Sequence, residues 1–95
     1  MSIASLWEIS IKTALGKLEI VGDYESVIDD VTSNKIEILP VTFAHTVRQN
    51  RLPFYHRDPF DRMIISQAMV EGVDIISKDE TLDIYLVGTQ FKRIW

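Results

Sequence analysis

At 95 residues, 46% of them apolar and 25% charged, the chain has the length and composition of one globular domain with a modest core. It has no cysteine, which excludes disulfide frameworks and thiolate metal sites, and no stretch long or apolar enough to span a bilayer. A formal charge of -4 and a pI near 5.0 exclude a broad basic face gripping nucleic acid, but they leave room for a local basic patch or a metal bridging acid to phosphate. The start Met1-Ser2-Ile3-Ala4-Ser5 lacks a basic n-region and a cleavage pattern, so a cytoplasmic, reducing setting is expected.

Helical spacing of Trp7, Ile11, Ala14, Leu15 and Leu18 predicts a first helix from Ser5 to Leu15, with Ser5-x-x-Glu8 as a capping box and Gly16 as the C-terminal cap. Asp23 is placed to cap a second helix through Tyr24, Val27, Ile28 and Val31, ending near Ser33-Asn34, with an acidic outer face. Lys35-Ile36-Glu37-Ile38-Leu39 alternates like a strand and stops at Pro40. Thr42 can cap a short helix through His45, Val47 and Arg48, after which Arg51 to Arg57 reads as an ordered loop.

Asp58-Pro59 then starts a helix, with Asp58 at N-cap, Pro59 at N1, the apolar run Met63, Ile64, Ala68, Met69 and Gly72 as the stop. Val73 to Ser77 reads as a short buried strand, Thr81 to Tyr85 as a helical turn and Phe91 to Trp95 as a last strand. This alternation predicts an α/β layer fold with a parallel sheet in a single domain spanning residues 1–95.

Three acids stand where an α/β site gathers its ligands. Glu8 and Asp61 lie in first turns of predicted helices, and Asp79 lies just past the carboxyl end of the Val73 to Ser77 strand. Carboxylates converging there suit a hard cation such as Mg²⁺, which could orient water and neutralise a phosphodiester. Each acid also has an ordinary structural role open to it. Glu8 can close the capping box, Asp61 can complement the helix dipole, Asp79 can cap a turn and Asp58 can cap its helix. His56, Arg57 and Arg62 crowd the same helix entrance, where they could meet phosphate or pair with Asp58 and Asp61. Two histidines are too few for a zinc site, and Trp7, Phe60, Tyr85 and Trp95 fall on separate elements with no interleaved basic stripe, as core or rim aromatics do rather than a base-stacking platform. No Gly-rich phosphate loop or nucleophile elbow is present.

Longer words of the sequence are more specific. Ser5-Leu6-Trp7-Glu8-Ile9-Ser10-Ile11-Lys12, Leu15-Gly16-Lys17-Leu18 and Leu39-Pro40-Val41 resemble a PIN domain. Leu52-Pro53, His56-Arg57-Asp58-Pro59-Phe60-Asp61-Arg62-Met63-Ile64-Ile65, Ile75-Ile76-Ser77-Lys78-Asp79 and Ile94-Trp95 are similar in order and spacing to its VapC-like branch. The resemblance implies a three-layer fold, a parallel sheet with helices on both faces. It also implies an endoribonuclease toxin that uses Mg²⁺ or Mn²⁺ to cut structured RNA. Glu8, Asp61 and Asp79 would be its catalytic metal ligands, Asp58 a helper and Ser77 an orienting group. A VapB-like antitoxin and a second copy of the chain would be its partners.

The same resemblance implies a difference. Family members place an apolar strand ending in aspartate, then helices and a second strand, before the Ser-Leu-Trp-Glu helix that here begins almost at Met1. The expectation is an N-terminally incomplete domain with weak or no cleavage, which covers open sheet edges by self-association. A non-catalytic binding or self-association module is the competing expectation.

Overall fold

The computed structural model describes residues 1–77 and 79–94. The chain divides into two compact units, Met1–Pro40 and Val41–Trp95. No helix among the described residues is long and apolar enough to cross a membrane.

In the first unit, helix α1 spans Ile3–Ala14 and starts earlier than its sequence suggests. Ser2, not Ser5, is the N-cap: its backbone is extended and its hydroxyl accepts the Ala4 N–H at 3.0 Å. Ser5 already lies inside the helix, so Glu8 falls in the second turn and the expected Ser5–Glu8 box does not form. The far end follows expectation. Gly16 takes φ +71, its N–H donates to Thr13 O at 3.1 Å, and Lys17 N–H donates to Lys12 O at 2.9 Å. This pairing is the Schellman stop, which favours glycine because a side chain resists the left-handed region.

A 3-10 turn at Tyr24–Ser26 leads into helix α2, Val27–Ser33. It ends in the same hydrogen-bond pattern, with Lys35 N–H to Thr32 O at 3.0 Å and Ile36 N–H to Val31 O at 3.2 Å. Here Lys35, at φ 60, occupies the position that glycine usually takes. This explains why the expected Lys35 to Leu39 strand does not form. Its first two residues are spent terminating a helix, and only Leu39 pairs, in one parallel bridge with Ser2. Tyr24 ties the helices together by donating its hydroxyl to Leu6 O at 2.9 Å.

In the second unit, Thr42 caps helix α3, Phe43–Arg51, in a reciprocal box with His45. Thr42 N–H donates to His45 Nδ1 at 2.9 Å, so Nε2 carries the ring proton and donates to Glu71 at 2.7 Å. Helix α4 spans Pro59–Glu71, with Asp58 at N-cap and Gly72 in the left-handed region just past its end, as Asp-Pro and Gly predict. Ile65 and Ala68 enter a core with Leu52, Ile75, Leu82, Tyr85 and Leu86, and Ile64 and Met69 pack at its margin.

Strand β1, Ile75–Ile76, pairs in parallel with β2, Arg93–Ile94, through a crossover that holds a 3-10 turn at Glu80–Leu82 and helix α5, Asp83–Leu86. Parallel pairing requires such a crossover. Asp74 pins the register by accepting the Lys92 N–H at 3.0 Å. The α/β class is therefore correct, and the sheet among the described residues is one two-stranded parallel pair. Burial of β1 on both faces is not observed: Ile75 is 5% exposed and Ile76 is 74% exposed. Trp95, the expected end of the last strand, and Lys78 lie outside the described residues.

Candidate active site

The entrance of α4 and the turn after β1 meet at one end of the second unit. His56 precedes α4, and its Nε2 donates to Thr81 O at 2.5 Å, while its backbone N–H donates to the Tyr85 hydroxyl at 2.8 Å. The His56 and Tyr85 rings lie 5.4 Å apart. Asp58, Asp61 and Asp79 therefore belong to segments that one set of hydrogen bonds holds together.

Asp79 is anchored by its own turn. Its Oδ1 accepts Thr81 N–H at 3.0 Å and Thr81 Oγ1–H at 2.5 Å. These bonds hold its carboxyl below the ordinary carboxylate range, chiefly the side-chain bond and then the backbone bond from Thr81, aided by the nearby His56 and Arg93. Asp79 N–H donates to Ser77 Oγ at 3.1 Å, so Ser77 shapes the turn that presents the acid.

Asp58 accepts Phe60 N–H at 2.8 Å and Asp61 N–H at 3.4 Å, both through Oδ1, the capping role that Asp-Pro spacing predicts. Asp61 sits in the first turn of α4 and is half-buried. Arg57 is exposed at the same entrance. Glu8 belongs to the first unit, on α1, where it pairs with Lys12 at 3.0 Å across one helical turn.

Arg62, for which the sequence left phosphate contact and pairing with Asp58 and Asp61 both open, is turned into the protein. It is only 4% exposed, and its guanidinium donates to Pro53 O at 2.7 Å, Gln49 O at 2.9 Å and Leu52 O at 3.3 Å. It also lies 4.0 Å from the centre of the Phe54 ring. Carbonyls left over at the end of α3 and in the following loop need donors, and this side chain supplies them.

Sequence reasoning missed Thr81, Asp83 and Arg93. Arg93 Nε meets Asp83 Oδ1 at 2.7 Å and its Nη2 meets Oδ2 at 3.2 Å, a two-bond fork, while Nη1 donates to Ser77 O at 2.9 Å. The fork lowers the Asp83 carboxyl and raises the Arg93 guanidinium, in both cases mainly through their shared hydrogen bonds. The signal was the charge of Arg93 in a predicted strand one crossover away from an acidic turn.

Carboxylate oxygens are the donors that Mg²⁺ and Mn²⁺ prefer, so the acids fit such an ion in kind. Among the described residues of either unit, no three His, Asp or Glu side chains stand close enough together to hold a metal ion.

Comparison with known families matches the chain to the PIN domain over residues 1–85. No curated protein and no solved structure matches it. PIN domains are in general nucleases that act on RNA or DNA and use divalent metals. The matched segment holds Glu8, the Asp58-Pro59 helix start with Asp61, and the Asp79 turn; on that match, the chain belongs to the PIN-domain family.

Proposed function

We propose that the chain is a metal-dependent endoribonuclease of the VapC type, the toxin of a toxin–antitoxin pair, with Glu8, Asp61 and Asp79 as its catalytic acids and Asp58 as a helper to Asp61. The observation that carries this reading is the His56–Thr81 bond, which joins the entrance of α4 to the Asp79 turn inside a PIN-family chain. Mg²⁺ or Mn²⁺ is the cofactor this reading implies, and the chemistry it would supply when bound is charge neutralisation at the phosphodiester and orientation of water.

The chain's own groups are suited to that setting. Thr81 bonds the charged form of Asp79 and so holds its carboxyl below the ordinary range. His56 commits its Nε2–H to Thr81 O, which leaves Nδ1 as the ring atom able to accept a hydrogen bond. Arg57, exposed at the entrance, is a donor for phosphate. An RNA cleavage assay with Mn²⁺ tests the proposal: Asp61→Asn and Glu8→Gln should each lower the rate at least about tenfold, as loss of a metal-orienting group does. Cleavage that survives both substitutions contradicts it.

A second reading, a non-catalytic binding or self-association module, is favoured by α1. Ile3, Trp7 and Ile11 recur every fourth residue on one face and remain exposed, and Leu15 just beyond the helix continues the row. A VapB-like antitoxin segment or a second copy of the chain is the partner this reading proposes. Light scattering that finds a stable monomer at micromolar concentration contradicts self-association.

A further inference from the structure

The segment from Val41 to Arg57 carries three arginines and no carboxylate side chain, in a chain whose net charge is -4. Arg48, Arg51 and Arg57 are all exposed, and among the described residues no carboxylate forms an ion pair with them. Placement in the last turn of α3 accounts for Arg48 and Arg51, which complement the helix dipole there. It does not account for Arg57, or for the two aromatic rings that stand in solvent beside these charges. Phe54 is 79% exposed and Tyr55 is 52% exposed.

Phe54 is exposed but held. The Arg62 guanidinium backs one face of its ring at 4.0 Å and is itself fixed by the Gln49, Leu52 and Pro53 carbonyls. An open cavity of about 410 Å³, lined by Gln49, Asn50, Arg57 and Pro59, lies beside the ring. That volume is of the size that takes a small ligand. A ring ordered in advance loses little freedom on stacking, and Asn50 offers both a donor and an acceptor to a base edge.

We propose that Phe54 and Arg57 form a subsite for single-stranded RNA, in which one base stacks on the open face of Phe54 and Arg57 binds the adjoining phosphate. An aromatic platform next to unneutralised arginines is the combination that single strands recognise, since every base has a stacking face and every linkage an anion. The proposal rests on the RNA-directed reading above, and it concerns binding, not cutting.

The test is fluorescence anisotropy of a short labelled single-stranded RNA with the full chain in EDTA, where binding is read without cleavage. Phe54→Ala should weaken binding about tenfold, the scale of one lost base stack, and Phe54→Trp should retain it. Arg57→Gln should make the dependence of log affinity on log salt shallower by roughly 0.7, the value for one phosphate contact on a single strand. A duplex RNA should bind worse than the single strand. Unchanged affinity in both Phe54→Ala and Arg57→Gln, equal affinity for duplex, or no binding by the parent chain would each overturn the subsite. Because Phe54 is exposed, the alanine variant should keep the parent circular dichroism melt. Loss of cleavage in Asp61→Asn with binding intact would leave the subsite standing, so the two proposals fail separately.

Discussion

His56 and Asp79 are bonded to opposite sides of the same residue: Thr81 gives its carbonyl to the His56 ring and both its N–H and its hydroxyl to the Asp79 carboxylate. Residues 23 positions apart in the chain are thereby held at one end of the second unit. Thr81→Val should remove the hydroxyl bond and raise the Asp79 pKa toward its ordinary value, while the His56 bond to the residue 81 carbonyl persists. An unchanged Asp79 titration would contradict the role given to the hydroxyl.

The pH dependence of stability follows from the same bonds. Asp79 and Asp83 both have carboxyls lowered from the ordinary value of 3.8, so the unfolded chain binds more protons than the folded one as pH falls through that region. Their stabilisation is complete above the unfolded value and is lost as pH drops toward the folded values. Urea midpoints should therefore be insensitive to these groups from neutrality to about pH 5 and fall below pH 4. Asp83→Asn should flatten the acid limb, and a limb unchanged by that substitution would contradict the assignment.

Lys35 offers a test of backbone strain. Its φ of 60 lies where side chains crowd the backbone, and glycine relieves that crowding at helix ends. Lys35→Gly should raise the unfolding free energy by about 1 kcal/mol in urea titrations. A loss of stability would mean that the Lys35 side chain makes a compensating contact.

Arg62 is a structural cation. Replacing it with methionine would leave the Leu52 and Pro53 carbonyls without this donor and the Gln49 carbonyl with only the Leu52 N–H, at a cost of about 3 kcal/mol. Arg62→Lys should also destabilise, because one ammonium cannot match a planar fork that reaches three carbonyls. Thermal melts within a degree or two of the parent for both variants would contradict this account.

The parts of the fold legible in the sequence are those decided by local chemistry. Asp58-Pro59 and Gly72 delimit α4 because capping, a preset proline φ and a left-handed stop act within a few residues. Ser5-x-x-Glu8 misled for the same reason: the box is a local pattern, and Ser2 satisfied the helix start three residues earlier. The Lys35 to Leu39 alternation failed because a strand needs a partner backbone, and alternation in one segment does not say where that partner runs.

At the candidate site, Asp58, Asp61, Asp79 and His56 stood out in the sequence only as residue types near predicted helix starts and a strand end. The Asp83–Arg93 fork and the burial of Arg62 were not legible, since each depends on segments joined only by the crossover or by the loop before α4. The exposed Phe54 ring and its Arg62 backing were not legible either, because they depend on how the loop before α4 packs.

The proposed metal dependence is tested most directly by Mn²⁺ binding. Electron paramagnetic resonance titration of the full chain should show a saturable site, weakened at least about tenfold by each of Glu8→Gln, Asp61→Asn and Asp79→Asn. Binding that is absent in the parent chain, or indifferent to all three substitutions, would contradict the proposal.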